Sequence, residues 1–183
     1  MRLFLASALA ACVMACTPTE KAEMTAEGCD VRAASQWTTG SALYSIEAST
    51  FGPDCERAVA TLVIRDNSGA PAYIEAHIAS QVMTLAGVSD VAAMQTALDE
   101  WVNTANPQFA SSAALPDWPA NAESPASGEF PFYVSEGIDR VTYLDTRSRD
   151  VPMFCYVQGM ESLNCVALDN GGIASLGVQT FPG

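Results

Sequence analysis

His77 is the only imidazole in the 183 residues, and it stands two positions from Glu75. Positions two apart on a strand share a face at about 7 Å, close enough for a carboxylate to orient an imidazole for proton transfer. The plainer reading of the same pair is a partly exposed polar edge. Asp139 with Asp145, or Glu136 with Asp139, would supply paired carboxylates, but with 21 Asp and Glu in the chain such pairs arise by chance and no glycosidase chemistry follows. Asp169, Asn170, Gly171 and Gly172 look like part of a calcium loop, yet type I′ hairpin chemistry explains them without a metal. The nucleophile elbow, phosphate loop, dinucleotide fingerprint and zinc-protease signatures are all missing. No catalytic residue, cofactor or metal ligand is assigned.

Lys and Arg number 8 against the 21 acids, a net charge of -13, which repels phosphate and excludes nucleic acid as a partner. Apolar residues make up 49% of the chain, enough for one domain to bury a core.

Arg2 precedes an uncharged apolar run from Leu3 to Ala15, too short for the ~20 residues that span a bilayer and suited to a signal peptide. The run ends in Val13, Met14, Ala15 and Cys16, which resembles the lipobox of bacterial lipoproteins. Leu9, Ala10, Ala11 and Cys12 fit the same box. Cys16 is preferred, because cutting before Cys12 leaves a short apolar segment and a stray Val13-Met14 stub; Cys12 stays open, as does an ordinary secretory signal. The resemblance covers residues 1 to 16 only. It implies a diacylated Cys16 at the mature N-terminus, and Thr17 in place of Asp implies sorting to the outer membrane, facing the periplasm. Two acyl chains anchor stably where one does not. Residues 1–15 are then signal, 16–28 lipidated Cys and flexible tether, and 29–183 one globular periplasmic domain. No family resemblance is drawn for residues 29–183.

Setting aside Cys12 and Cys16 leaves Cys29, Cys55, Cys155 and Cys165, an even number suited to an oxidising compartment. Cys155 and Cys165 flank a turn around Gly159, Met160 and Glu161. Pairing Met153 with Ala167, Cys155 with Cys165 and Val157 with Leu163 puts apolar residues on one face, at a spacing a disulfide can bridge. Cys29 is left for Cys55. No Cys-x-x-Cys occurs, so zinc and redox readings fail.

The elements that must position these residues read as α+β. Strands are expected at 42–48, 58–65, 72–82, 152–158, 163–168 and 173–179, with a short one at 130–134, forming a mainly antiparallel sheet of about five to six strands. On the third run Ile74, Ala76 and Ile78 oppose Tyr73, Glu75 and His77, and the polar set is expected to face water. A clear helix at about 90–103, capped by Ser89, carries Val91, Met94, Leu98, Trp101 and Val102 on one side. A weaker one at about 136–147 follows Ser135, with Gly137 near its start. The cystine hairpin, apolar on both faces, is expected at the centre of the sheet under helices. The Pro-rich connection 107–131 reads as a stiff cover over the sheet or as a recognition loop.

A non-enzymatic, lipid-anchored envelope protein is the leading functional expectation. Its partners would be the membrane and, as an open alternative, an envelope protein; oligomeric state is not fixed. The candidate contact surface is Trp118, stiffened by Pro116 and Pro119, with Tyr73, Glu75 and His77. An enzyme with an unrecognised site and a structural accessory of an envelope complex are the rivals. A lysozyme-inhibitor-like protein is a further one, because Ser68, Gly69 and Tyr73 loosely resemble, at a different spacing, the Ser-Gly-x-x-Tyr element of the membrane-bound lysozyme inhibitors.

Overall fold

The structure, a computed structural model, describes residues 28–103, 110–125 and 128–181. Cys12, Cys16, the tether up to Glu27 and residues 107–109 and 126–127 of the Pro-rich connection lie outside the described residues.

Among the described residues eight strands form two antiparallel four-stranded sheets, where one sheet of about five to six strands was expected. The first is a meander of β1 (Val31–Thr39), β2 (Ala42–Phe51), β3 (Val59–Arg65) and β4 (Pro71–Ile78). Helix α1 (Val91–Trp101) then leads through the Pro-rich connection to the second sheet. That sheet comprises β5 (Phe132–Val134), β6 (Met153–Val157), β7 (Ser162–Asp169) and β8 (Gly172–Thr180) in the order β5-β8-β7-β6, with α2 (Arg140–Ser148) between β5 and β6 in sequence.

The second sheet is the middle layer. On one side Phe154, Tyr156 and Val166 join a buried cluster with Ile46, Leu62 and Ile64 of the first sheet and Met94, Leu98 and Trp101 of α1. On the other, Met153, Cys165, Ala167 and Leu176 pack with Tyr143 of α2 and with Leu115 and Trp118 of the connection. This explains why the cystine hairpin is apolar on both faces. Its position differs from the expectation: β7 is internal, but β6 is an edge strand, and one of its covers is a sheet instead of a helix.

Within the hairpin the register is the predicted one, with Met153 opposite Ala167, Cys155 opposite Cys165 and Val157 opposite Leu163. The Cys155–Cys165 disulfide joins Cα atoms 4.1 Å apart, and Cys29–Cys55 joins Cα atoms 4.8 Å apart. The β7–β8 turn places Asn170 and Gly171 at positive φ, as a type I′ turn requires. Gly177, opposite Cys165, is forced by a close approach: a Cβ there would meet the Phe132 ring and the Tyr133 carbonyl oxygen at 2.5 Å.

Both helix starts shift from their expected caps. Asp90, not Ser89, caps α1 by accepting from the Ala93 N–H at 2.8 Å. Asp139, not Ser135, caps α2 through the Thr142 N–H at 2.8 Å. Gly137 at positive φ turns the chain before that start, so Ser135 is left outside the helix. On α1, Met94, Leu98 and Trp101 are buried as expected, as is Val102 at its C-terminal cap, and Ala97 joins them, whereas Val91 in the first turn is exposed.

Candidate functional site: the two faces of the first sheet

Cross-strand register decides what β4 does with its polar residues. Tyr73 lies opposite Ile64, Glu75 opposite Leu62 and His77 opposite Ala60, and all three partners are fully buried. Opposed residues share a face. Tyr73, Glu75 and His77 therefore belong to the inner face, turned towards the second sheet, and the expected wet side of β4 is the wrong one.

A hydrogen-bond chain receives them. The Tyr73 and Tyr156 hydroxyls lie 3.0 Å apart, and the Asn164 amide nitrogen donates to both at 3.0 Å. The Ser175 hydroxyl donates to Asn164 Oδ1 at 2.7 Å and lies 2.8 Å from the Ser135 hydroxyl. At the outer end the Tyr73 hydroxyl donates to Glu75 Oε1 at 3.2 Å, and the Glu75 side chain is exposed. The chain thus runs from β4 through β6, β7 and β8 to the residue after β5. Desolvation raises the Tyr73 phenol pKa, reinforced by the Tyr156 hydrogen bond, and desolvation also raises that of Tyr156. Both phenols stay protonated near neutrality.

His77 packs edge-on against Trp101 and Tyr156, with ring centroids 5.8 and 6.0 Å away. Burial lowers its pKa, opposed by the Glu75 charge, and its Nε2 is buried without a hydrogen-bond partner among the described residues. The imidazole is neutral, and the Glu75 carboxylate is bonded to Tyr73 instead. A recess of about 230 Å³ has Trp101, Tyr156, Glu100 and Thr84 in its wall. Chemically the cluster fixes how the two sheets sit on each other, since satisfied buried polar groups admit few alternative packings.

Trp118 is 7% exposed and sits in the other core, its ring edge-on to Tyr143 at 5.4 Å and its indole N–H donating to the Ala122 carbonyl at 2.9 Å. Helix α2 holds this stretch by its carbonyls: Tyr143 donates to Pro116, Arg147 to Leu115 and Arg140 to Trp118, each at 2.8 Å. The described part of the Pro-rich connection is a cover, and Trp118 is not an exposed anchor. The four residues expected to form one contact surface are not brought together: Trp118 is buried in the second cluster, Tyr73 and His77 are partly buried between the sheets, and Glu75 is exposed at their edge.

The remaining sequence candidates have structural roles. Asp139 caps α2, while Asp145 and Asp169 both bind Arg149, which lowers the Asp169 pKa and ties the end of α2 to β7. Ser68 donates to Asp66 within the β3–β4 turn, and Tyr73 points away from it, so Ser68, Gly69 and Tyr73 make no common loop element. Groups of three or more potential metal ligands are absent among the described residues.

What the sequence reading missed is the opposite face. Phe51 lies opposite Val59 and Val59 opposite Ile78, an apolar row across three strands with 63%, 46% and 50% of each residue exposed. Ile74, 60% exposed, continues it along β4, next to half-buried Val63. Beside this row a shallow recess of about 500 Å³ is bordered by Arg32, Ala34, Glu47, Ser49 and Arg65. Arg65 pairs with Glu47 at 2.8 Å. The signal was present in the shared alternation of Val59, Thr61 and Val63 with Ile74, Ala76 and Ile78, but only the inter-strand register shows that these belong together. Comparison with protein-family models, curated proteins and solved structures finds no match to this chain.

Proposed function

We propose that the chain is a lipid-anchored envelope lipoprotein whose folded part acts by binding and not by catalysis, on the periplasmic side of the outer membrane. The lipobox-like end of the apolar run supports anchoring at Cys16, with Cys12 as the alternative. Two disulfides suit an oxidising compartment. The inter-sheet hydroxyls and amide are taken up in bonds to one another.

The observation that carries the binding reading is the outer face of the first sheet, where Phe51, Val59, Ile74 and Ile78 are each about half exposed or more on neighbouring strands. Single exposed apolar residues are ordinary; a contiguous set on a regular surface marks a contact site. The contact surface is accordingly proposed here, in place of Trp118, Tyr73, Glu75 and His77.

Two measurements test this. Mass spectrometry of the mature N-terminal peptide should find diacylated Cys16; an unmodified Cys16 beginning the chain would remove the anchor, and an acylated Cys12 would move it there. A photoreactive side chain at position 74 should crosslink in intact envelopes where one at position 141, on the exposed side of α2, does not. Equal crosslinking from both positions would remove the outer face as the site.

A further inference from the structure

We propose that the lipid bilayer itself is what the outer face of the first sheet meets, with the Phe51–Val59–Ile78 row dipping into its surface. This rests on the anchoring reading above and names the partner of the same face.

Where the described chain begins is the first observation. The Cys29 N–H donates to the Gly52 carbonyl at 3.0 Å, and Gly52 directly follows Phe51. Gly52 is itself pinned, since a Cβ on it would lie 2.6 Å from the Ala58 Cα, and the Cys29–Cys55 disulfide closes the same corner. The chain that arrives from an acylated Cys16 therefore enters the fold beside the exposed Phe51. Residues 17 to 28 number twelve, which limits the reach from the anchor to about 40 Å when fully extended and to roughly 20 Å as a random coil. A domain held that close by that corner meets the bilayer with that corner first.

Charge is the second observation. Counted over the outer face and the loop at this corner, Arg32, Arg57 and Arg65 stand against Asp30, Glu47, Asp54 and Glu56, which is close to neutral in a chain carrying -13. All three arginines are paired with acids, Arg32 with Asp30, Arg57 with Asp54 and Arg65 with Glu47. The rest of the molecule carries nearly all of the negative charge and would be repelled by anionic headgroups, so the outer face is the one that can approach them. Exposed aliphatic and aromatic side chains on such a face gain free energy by entering the headgroup–acyl boundary.

The test uses the full acylated protein reconstituted in vesicles of phosphatidylethanolamine and phosphatidylglycerol, with and without brominated acyl chains. Native Trp37, Trp101 and Trp118 are all buried and give a constant background. Phe51→Trp, or Ile78→Trp if the first does not fold, should lose about half of its added emission to bromine, as expected for a side chain at the acyl boundary. Val141→Trp, on α2 beyond the second sheet, should lose almost none. Equal quenching at both positions, in protein that stays with the vesicles, overturns the docking and leaves the anchor intact. Protein that does not stay with the vesicles overturns the anchoring reading and the docking with it. Concentration-dependent dimers in detergent that Ile74→Glu abolishes would assign the face to a second copy of the chain and also overturn the proposal.

Discussion

The two faces of the first sheet are built from strands of similar composition, yet one is sealed and the other open. Ile46, Leu62 and Ile64 are fully buried on the inner side, while Phe51, Val59, Ile74 and Ile78 stand in solvent on the outer side. On β4 the contrast reverses the usual assignment, since the isoleucines point out and the tyrosine and histidine point in. Hydropathy alone would turn β4 over. A one-residue slip would achieve that, but it would break the Tyr73 contacts with Tyr156 and Asn164 and take one hydrogen-bond partner from each of these buried groups. Partner availability across the sheet interface, and not side-chain hydropathy, sets which face is inside.

Four outcomes would break or sharpen this contrast, and the largest concerns the sealed side. Leu62→Ala should cost about 2–5 kcal/mol, the range for a buried leucine replaced by alanine, read as a drop in chemical-denaturation midpoint at unchanged slope. Asn164→Leu removes both donations to the tyrosine hydroxyls and the acceptor of Ser175, at about 1–3 kcal/mol for each group left unsatisfied. Calorimetry of that variant should show a loss well beyond that of Tyr73→Phe; equal losses would mean that the amide does not organise the inter-sheet chain.

His77 gives a smaller, pH-dependent effect. Its folded pKa is lowered by burial, so the unfolded chain binds the extra proton. Stability is then full above the ordinary imidazole value of about 6.5 and falls as pH drops through it towards the folded pKa. Glu75 opposes the shift without reversing it. Melting curves between pH 7.5 and 5.5 should slope downwards with acid, and His77→Phe should flatten that slope; an unchanged slope in the variant would assign it to other groups. The smallest effect belongs to the open side, where Ile74→Ser should alter stability by no more than about 0.5 kcal/mol. A loss matching that of Leu62→Ala would mean that the outer face is covered in the free protein.

Much of the second sheet was legible because its determinants are local. The Cys155–Cys165 register needs only a short turn and matched apolar residues on either side, and Asn170-Gly171 carries its own positive φ. Strand β1 was not assigned, because Ala33 and Ser35 dilute the alternation of Val31 and Trp37 below what a sequence window detects. The outer-face row was legible only strand by strand, in the alternation of Val59 with Val63 and of Ile74 with Ile78: Phe51, Val59 and Ile78 lie on three strands and become neighbours only through register. Trp118 shows the same limit from the other direction. Flanking prolines stiffen it equally for exposure or for cover, and the carbonyl bonds from Tyr143, Arg147 and Arg140 made it a cover.

By itself the sequence determined an antiparallel α+β chain, the hairpin that carries one disulfide and, by elimination, the other disulfide, along with the stripe that buries α1. These depend on spacing along the chain, where geometry is fixed by covalent structure and short-range sterics. Tertiary structure decided that eight strands split into two stacked sheets and that β4 turns its polar side inward. It also turned both faces of the cystine hairpin into core. Each of these depends on what lies across an interface from a distant segment: burial becomes favourable for Tyr73 only where Tyr156 and Asn164 wait to receive its hydroxyl.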